Sequence, residues 1–147
     1  MILAAIALSA APPVVTAGET FTCTPVRVWD GDGPLWCAEG PRIRVAGIAA
    51  REMDGTCRDG HPCPKASAEE ARAALVKLVG KPVGRHQAGH ILVKGPALQC
   101  RSRGNGKGAR TDAFCDLPDG RNLSCAMLKT KTVELWKQYW TRGPSCP

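Results

Sequence analysis

Eight cysteines constrain the folding of this chain more than any other feature of its sequence. They lie between positions 23 and 146 of a 147-residue chain. An even number of cysteines in an exported chain favours disulfides, although eight cysteines allow 105 connectivities. Pairing each cysteine with a neighbour across a short loop predicts four disulfides, which are Cys23–Cys37, Cys57–Cys63, Cys100–Cys115 and Cys125–Cys146. Such pairs favour a small domain built from hairpins and closed loops.

The N-terminal segment has the composition of an export signal. Residues 1–17 carry no charged side chain and are mostly small or apolar. Their apolar core is shorter than the about 20 residues that span a bilayer, and Val15-Thr16-Ala17 suits signal peptidase. We interpret residues 1–17 as a signal peptide and residues 18–147 as one domain, secreted or periplasmic. A buried N-terminal strand is the alternative.

Basic side chains outnumber acidic ones. The chain has 20 Lys and Arg against 13 Asp and Glu, a formal net charge of +7. This balance suits an anionic partner such as nucleic acid or a membrane surface, but many exported proteins are basic without binding one. No later segment has the pattern of a membrane span, so we expect no stable insertion into a membrane. We also expect the protein to be a monomer.

Zinc binding is the alternative role for some of these side chains. Cys57, His61 and Cys63 occur in "CRDGHPC", whose spacing is not that of a zinc knuckle and which has no evident fourth ligand. His86 and His90 are four residues apart without the glutamate of H-E-x-x-H. On one strand their rings would be roughly 13 Å apart. The sequence favours disulfides over zinc.

Hydrophobic periodicity predicts a β-rich domain. The stretch "TFTCTPVRVWDGDGPLWC" alternates and contains a turn at residues 30–34, and "PRIRVAGI" alternates basic with apolar side chains. In the second stretch Ile43 and Val45 share one face, and Arg42 and Arg44 share the other. Further strands are expected in "HILVKG", "ALQCRS" and "TDAFCDL".

Two helices are expected among these strands. Ser67 and Glu70 form a capping-box pattern before "AEEARAALVKLVG", which Gly80 and Pro82 end. A second helix is expected near Asn122, over "LSCAMLK". The tail "TVELWKQYW" fits either a short helix or an extended segment. The prediction is a β-rich α+β fold: a five-stranded OB-fold barrel with one helix after the third strand and another near the C-terminus.

Five stretches occur in an order that resembles the thermonuclease (staphylococcal-nuclease-like) family. They are "VRVWDGDG", "RIRVAGIAARE", the helix at 67–79, "KGARTDAFC" and "DGRNL". The resemblance runs from about Thr22 to about Tyr139. It implies an OB barrel and calcium-dependent hydrolysis of DNA and RNA phosphodiesters.

The resemblance also implies roles for individual residues. Arg44 and Arg110 match arginines that contact phosphate, and Glu52 matches the general base that activates water. Lys107 matches a residue that contacts nucleotide phosphate. Asp32 matches a calcium-binding aspartate.

Position 49 departs from the family pattern. Ala49 stands where a second calcium-binding aspartate is usual, and a methyl group cannot replace a carboxylate. Ca²⁺ needs several oxygen ligands, and their charge tunes its affinity. We therefore expect Ca²⁺ as the cofactor, bound more weakly than in a complete site.

Three functions remain open on these residues. Two arginines can hold phosphate bidentately and a carboxylate can take a proton from water, so the first is an exported nuclease-like phosphodiesterase. The second is a non-catalytic OB-fold module that binds nucleic acid. The third is a structural exported domain, in which Arg44 is a solvated strand residue, Asp32 forms a turn, and Arg51 and Glu52 form a surface ion pair. The aromatic cluster Trp136, Tyr139 and Trp140 is expected to pack against the barrel end rather than stack on bases.

Overall fold

The computed structural model describes residues 11–147, so the first ten residues of the predicted signal peptide lie outside it. The strands in the described part are β1 Thr20–Cys23, β2 Pro25–Val28, β3 Leu35–Cys37, β4 Arg42–Val45, β5 Ile48–Ala49, β6 Lys81–Arg85, β7 Ile91–Lys94, β8 Leu98–Asn105, β9 Thr111–Asp116 and β10 Glu134–Leu135. The helices are α1 Ala68–Val79 and α2 Leu123–Lys129, and a 3₁₀ turn covers Lys137–Tyr139. No helix within residues 11–147 is both long and apolar enough to cross a membrane.

Eight of the strands form one curled sheet in the order β1-β8-β9-β4-β3-β2-β7-β6. All neighbours are antiparallel except β4 and β9, which are parallel. Only Thr24 separates β1 from β2, yet β1 pairs with β8 at one edge while β2 lies between β3 and β7. The extended β1–β2 segment therefore runs from the edge of the sheet to its interior. The sheet as a whole curls into a half-barrel. Strands β5 and β10 form a separate two-stranded sheet.

The prediction of a β-rich α+β domain with two helices is confirmed. The sheet has eight strands where the sequence predicts five. One additional strand comes from the break at Thr24, which divides an expected strand into β1 and β2. Another arises because "HILVKG", "ALQCRS" and "TDAFCDL" all form strands, which are β7, β8 and β9. The third is β6, Lys81–Arg85, in the hairpin at the sheet edge, which is exposed along its whole length and shows no alternation. Exposed strands carry no apolar pattern, so periodicity could not reveal this one.

Burial follows the alternation predicted for β4. Ile43 and Val45 are buried in the core, whereas Arg42 and Arg44 are partly exposed on the opposite face. Helix α1 covers the sheet with a stripe of buried residues, which are Ala68, Ala71, Leu75, Val76 and Val79. Complete burial of one such aliphatic side chain contributes about 1.5–3 kcal/mol. Helix α1 packs against β2, β6 and β7, while β4 is held between β3 and β9 with its arginines on the opposite face from the core.

Both helices begin at the predicted caps. The Ser67 hydroxyl accepts a hydrogen bond from the Glu70 amide at 3.1 Å, and the Glu70 carboxylate accepts one from the Ser67 amide at 3.0 Å. The Asn122 side chain accepts from the Cys125 amide at 3.2 Å. The tail "TVELWKQYW", which fits either a short helix or an extended segment, contains both kinds of structure. Strand β10 is extended, and the 3₁₀ turn follows it.

The four disulfides have the predicted pairing, and every cysteine is paired. Cys23–Cys37 joins β1 to β3, and Cys100–Cys115 joins β8 to β9. Cys57–Cys63 closes a loop after β5, and Cys125–Cys146 ties the tail to α2. Zinc binding through Cys57 and Cys63 is therefore wrong, because both sulfur atoms are consumed in a disulfide.

The end of the predicted signal peptide lies against the sheet. The Val15 amide donates to the Thr111 hydroxyl at 3.1 Å, and the Ser102 hydroxyl donates to the Val15 carbonyl at 2.6 Å. Thr111 and Ser102 are buried polar residues. These hydrogen bonds help to satisfy two buried hydroxyl groups, of which that of Ser102 also accepts from the Gly104 amide at 2.9 Å.

Candidate functional site

A cleft of about 430 Å³ opens on the face of the sheet that carries the β4 arginines. It lies where the β2–β3 turn, β4, the loop after β5 and the β8–β9 turn meet. All five residues singled out by the resemblance line it, namely Asp32, Arg44, Glu52, Lys107 and Arg110. The structure therefore brings together side chains from four separate segments of the chain.

Strand β4 positions the first two arginines of the cleft. Arg42 donates from Nη2 to the Gly108 carbonyl at 2.9 Å, which links β4 to the β8–β9 turn. Arg44 donates from Nη1 to the Val45 carbonyl at 2.7 Å, and its Nη2 lies 3.4 Å from the Asp32 carboxylate. The Arg44 side chain is 15% exposed. It is thus ordered by the protein and still reachable from the cleft.

The "DGDG" turn packs closely against α1. A Cβ added at Gly31 would lie 2.5 Å from the Cβ of Ala71, so glycine is required for this approach. The Asp32 carboxylate accepts a hydrogen bond from the Ala50 amide at 3.0 Å, in addition to its contact with Arg44. Both contacts are to Oδ2, so one oxygen of the Asp32 carboxylate is already engaged by partners within the chain.

Asp30 is a buried carboxyl in the floor of the cleft. It is 5% exposed and accepts a hydrogen bond from the Asp32 amide at 3.2 Å. Burial, followed by the neighbouring charge of Asp32, raises the pKa of Asp30 to about 10. Asp30 is therefore protonated at neutral pH and adds no negative charge to the cleft.

The β8–β9 turn supplies two further cations. Arg110 donates from Nε to the Lys107 carbonyl at 3.0 Å and from Nη2 to the Gly106 carbonyl at 3.3 Å. Burial, together with the nearby charge of Arg44, lowers the pKa of Arg110. An arginine nevertheless stays charged, so two like charges are held close together. A bound anion between them would relieve that repulsion.

Glu52 is held by an arginine that sequence reasoning missed. Its carboxylate lies 3.2 Å from the Arg58 Nε, and the Glu52 side chain is 29% exposed. Arg51, the expected partner, instead donates to the Gly55 carbonyl at 3.0 Å. The Cys57–Cys63 disulfide closes the loop that carries Arg58 to the cleft. That disulfide was the one sequence signal that could have pointed to this position.

A second cavity of about 310 Å³ adjoins the cleft and shares Arg44, Lys107 and Arg110 with it. Trp136 and Tyr139 line this cavity, and Trp136 packs against the His61 ring at 4.2 Å. Trp136 and Tyr139 therefore face this cavity. Trp140 instead covers Gly47 so closely that an added Cβ would lie 2.4 Å from its ring.

The cleft offers a calcium ion few side-chain oxygens. Ala49 is 1% exposed and has no side-chain oxygen. One oxygen of the Asp32 carboxylate, Oδ2, is already bonded to Arg44 and the Ala50 amide. Within residues 11–147, no group of three or more His, Cys, Asp or Glu side chains is placed to hold a metal ion. Ca²⁺ commonly takes six to eight oxygen ligands, so this donor set falls short.

No protein-family model matches this chain, and neither a curated protein nor a solved structure is significantly similar to it. The chemistry open to the cleft therefore follows from its own side chains. Five cations and the carboxylates of Asp32 and Glu52 surround a space large enough for a phosphodiester group. The cations are Arg42, Arg44, Arg58, Lys107 and Arg110.

Proposed function

We propose that this protein binds single-stranded or denatured nucleic acid in the cleft and hydrolyses its phosphodiester bonds. The observation that carries the proposal is the convergence of Arg44, from β4, and Arg110, from the β8–β9 turn, beside Glu52. Guanidinium groups bind phosphate oxygens bidentately, which suits them to a phosphodiester better than lysine. DNA and RNA share this group, so the cleft suits both.

We also propose that the fold is an OB barrel and that the chain is a divergent, exported member of the thermonuclease family. The parallel pairing of β4 with β9 supports the barrel. So does the β1–β2 segment, which pairs with both β8 and β3. The placement of all five family-matched residues in one cleft supports the family assignment.

The side chains of the cleft suggest how hydrolysis proceeds. Arg44 and Arg110 bind the non-bridging oxygens and neutralise the charge that develops on phosphorus. Glu52 takes a proton from a water molecule as the water oxygen bonds to phosphorus. The bond from phosphorus to the leaving oxygen breaks, and that oxygen takes a proton from solvent. Glu52 then returns its proton to solvent.

Replacing Glu52 by glutamine tests the catalytic role. We expect hydrolysis of single-stranded DNA to fall at least about 100-fold, since a general base contributes about 10²–10⁴-fold. Oligonucleotide affinity is expected to stay within a factor of about three, because phosphate is held by the arginines. Glu19→Gln, an exposed carboxylate at the N-terminal end of the domain, is the matched control. A wild-type protein that leaves DNA intact with and without divalent ions contradicts the proposal.

A non-catalytic module that binds nucleic acid is the second candidate. It is favoured by the ion pairs that engage Asp32 with Arg44 and Glu52 with Arg58 before any substrate is present. In that case affinity for single strands falls steeply with salt. The slope of log affinity against log salt concentration is about −0.7 for each phosphate contact. Glu52→Gln then changes nothing measurable.

Replacing Ala49 by aspartate tests whether a metal site can be restored. The new carboxylate would be buried, so we expect a lower melting temperature in a chelator, with a cost of several kcal/mol. Millimolar Ca²⁺ is expected to reverse that loss in the variant and to leave the wild type unchanged. Thermal unfolding with and without Ca²⁺ measures both effects. Ala126→Asp, at another buried alanine, is expected to be destabilised without a calcium response.

A further inference from the structure

Beside the cleft lies a surface that the proposed function does not use. It consists of Arg27, Trp29, Trp36, His86 and His90, which we call the tryptophan–histidine face. We propose that this face binds the bases of a single-stranded nucleic acid that continues out of the cleft. The inference rests on the proposed function and adds a second binding region to the same substrate.

The sheet places these side chains on one side. Val28 and Leu35 are buried in the core, whereas Arg27, Trp29 and Trp36 alternate with them and are half-buried. Arg27 is directly opposite Trp36 in the β2–β3 pairing. The outer face of these two strands therefore carries aromatic and cationic groups in place of the usual small polar residues.

The β6–β7 hairpin brings the histidines to the same place. The His86 amide donates to the His90 carbonyl at 2.8 Å, which closes the turn between the two strands. Their rings stack with centroids 5.3 Å apart, far closer than on a single strand. The distance of roughly 13 Å between the two rings that is expected for one strand is wrong here, because His86 and His90 flank a turn and face each other. The turn is anchored by Arg72, which donates to the Trp29 carbonyl at 3.4 Å and the Gly89 carbonyl at 3.2 Å.

The rings form a continuous surface centred on His90. Its centroid lies 4.4 Å from that of Trp36 and 5.1 Å from that of Trp29. The Arg27 guanidinium lies 4.5 Å from the centre of the Trp36 ring. Trp29 also lines the cleft next to Asp30, so the two regions are contiguous. A strand held at the cleft arginines can therefore run onto these rings without a gap.

Charge favours a polyanion as the occupant. Arg27, Arg72 and Arg85 surround the rings, and the acidic groups near Arg72 are Glu69 and the neutral Asp30. Burial, followed by the charges of Arg27, His86 and Arg72, lowers the pKa of His90. Its Nδ1 is buried and has no hydrogen-bond partner in the described part of the chain. Aromatic rings beside cations that track a phosphate backbone are the means by which proteins bind single strands without sequence preference.

The length dependence of binding tests this proposal. The probes are a thymidine dinucleotide, which fills the cleft alone, and an oligothymidylate of about eight nucleotides, since stacking is worth about 5- to 150-fold in affinity per base. In the wild type we expect the longer probe to bind at least about tenfold more tightly and to quench tryptophan fluorescence. The Trp36→Leu, His90→Leu double variant is expected to lose that advantage while its dinucleotide affinity stays unchanged. Phe21→Leu, a half-buried aromatic on β1, is the control and keeps the advantage.

The outcomes separate this proposal from the proposed function. Equal affinity of the wild type for the two probes overturns the tryptophan–histidine face and leaves the cleft intact. Equal loss for both probes in the double variant, with an unchanged melting temperature, also overturns it. Absence of binding to either probe overturns the proposed function as well. Retention of the advantage in the double variant shows that the rings serve only to pack the hairpin.

Discussion

Replacing Arg44 and Arg110 together by glutamine is expected to weaken the binding of single-stranded oligonucleotides by at least about 100-fold. Each charge-assisted hydrogen bond to phosphate contributes about 1.5–3 kcal/mol, and the two arginines converge on one cleft. Loss of two phosphate contacts should also reduce the slope of log affinity against log salt by about 1.4. Fluorescence anisotropy with a labelled oligonucleotide at several salt concentrations measures both quantities.

Arg101→Gln combined with Arg121→Gln is the matched control. It removes the same two charges, but both side chains are exposed and neither lines the cleft. We expect a small loss that disappears at higher salt, because distant surface charges are screened. Equal losses in the two double variants would show that net charge, and not the cleft, binds the oligonucleotide. In Arg44→Gln the new side chain can keep a hydrogen bond to Asp32, and in the control variant both positions are exposed. We therefore expect both double variants to fold.

Replacing Asp30 by asparagine is expected to stabilise the protein, and more so at higher pH. In the folded state the pKa of this carboxyl is raised to about 10 from an ordinary value of 3.8, mainly by burial. Both states are protonated below that ordinary value, and the unfolded state alone ionises as the pH rises above it. Wild-type stability is therefore lost between about pH 4 and pH 10, by up to about 1.4 kcal/mol per pH unit. Asparagine removes this loss and can still accept from the Asp32 amide.

Urea unfolding at several pH values measures the effect. We expect the free energy of unfolding of Asp30→Asn to exceed that of the wild type by several kcal/mol, up to about 6, at pH 8 and by less than about 1 kcal/mol at pH 4. Asp59→Asn, at an exposed carboxyl, is expected to show no such trend. A difference that is constant with pH would mean that Asp30 is ionised in the folded protein.

Three local features of this fold could be predicted from the sequence alone. Ser67 and Asn122 cap their helices because capping depends on residues three positions apart. The disulfides join cysteines between 6 and 21 residues apart, so neighbour pairing succeeded. The outward direction of Arg44 follows from alternation along one strand. All three depend on short-range geometry.

Contacts between residues far apart in the sequence could not be predicted in the same way. The sequence by itself determined the two helices, the four disulfides, the alternation of β4 and the absence of a carboxylate at Ala49. Only the tertiary structure decided that Arg58 reaches the cleft, that Trp136 lines the adjoining cavity, and that His90 lies between two tryptophans. It also decided that Asp32 is already bonded to Arg44. These contacts join segments whose separation along the chain leaves no local pattern, so packing of the sheet and its loops sets them.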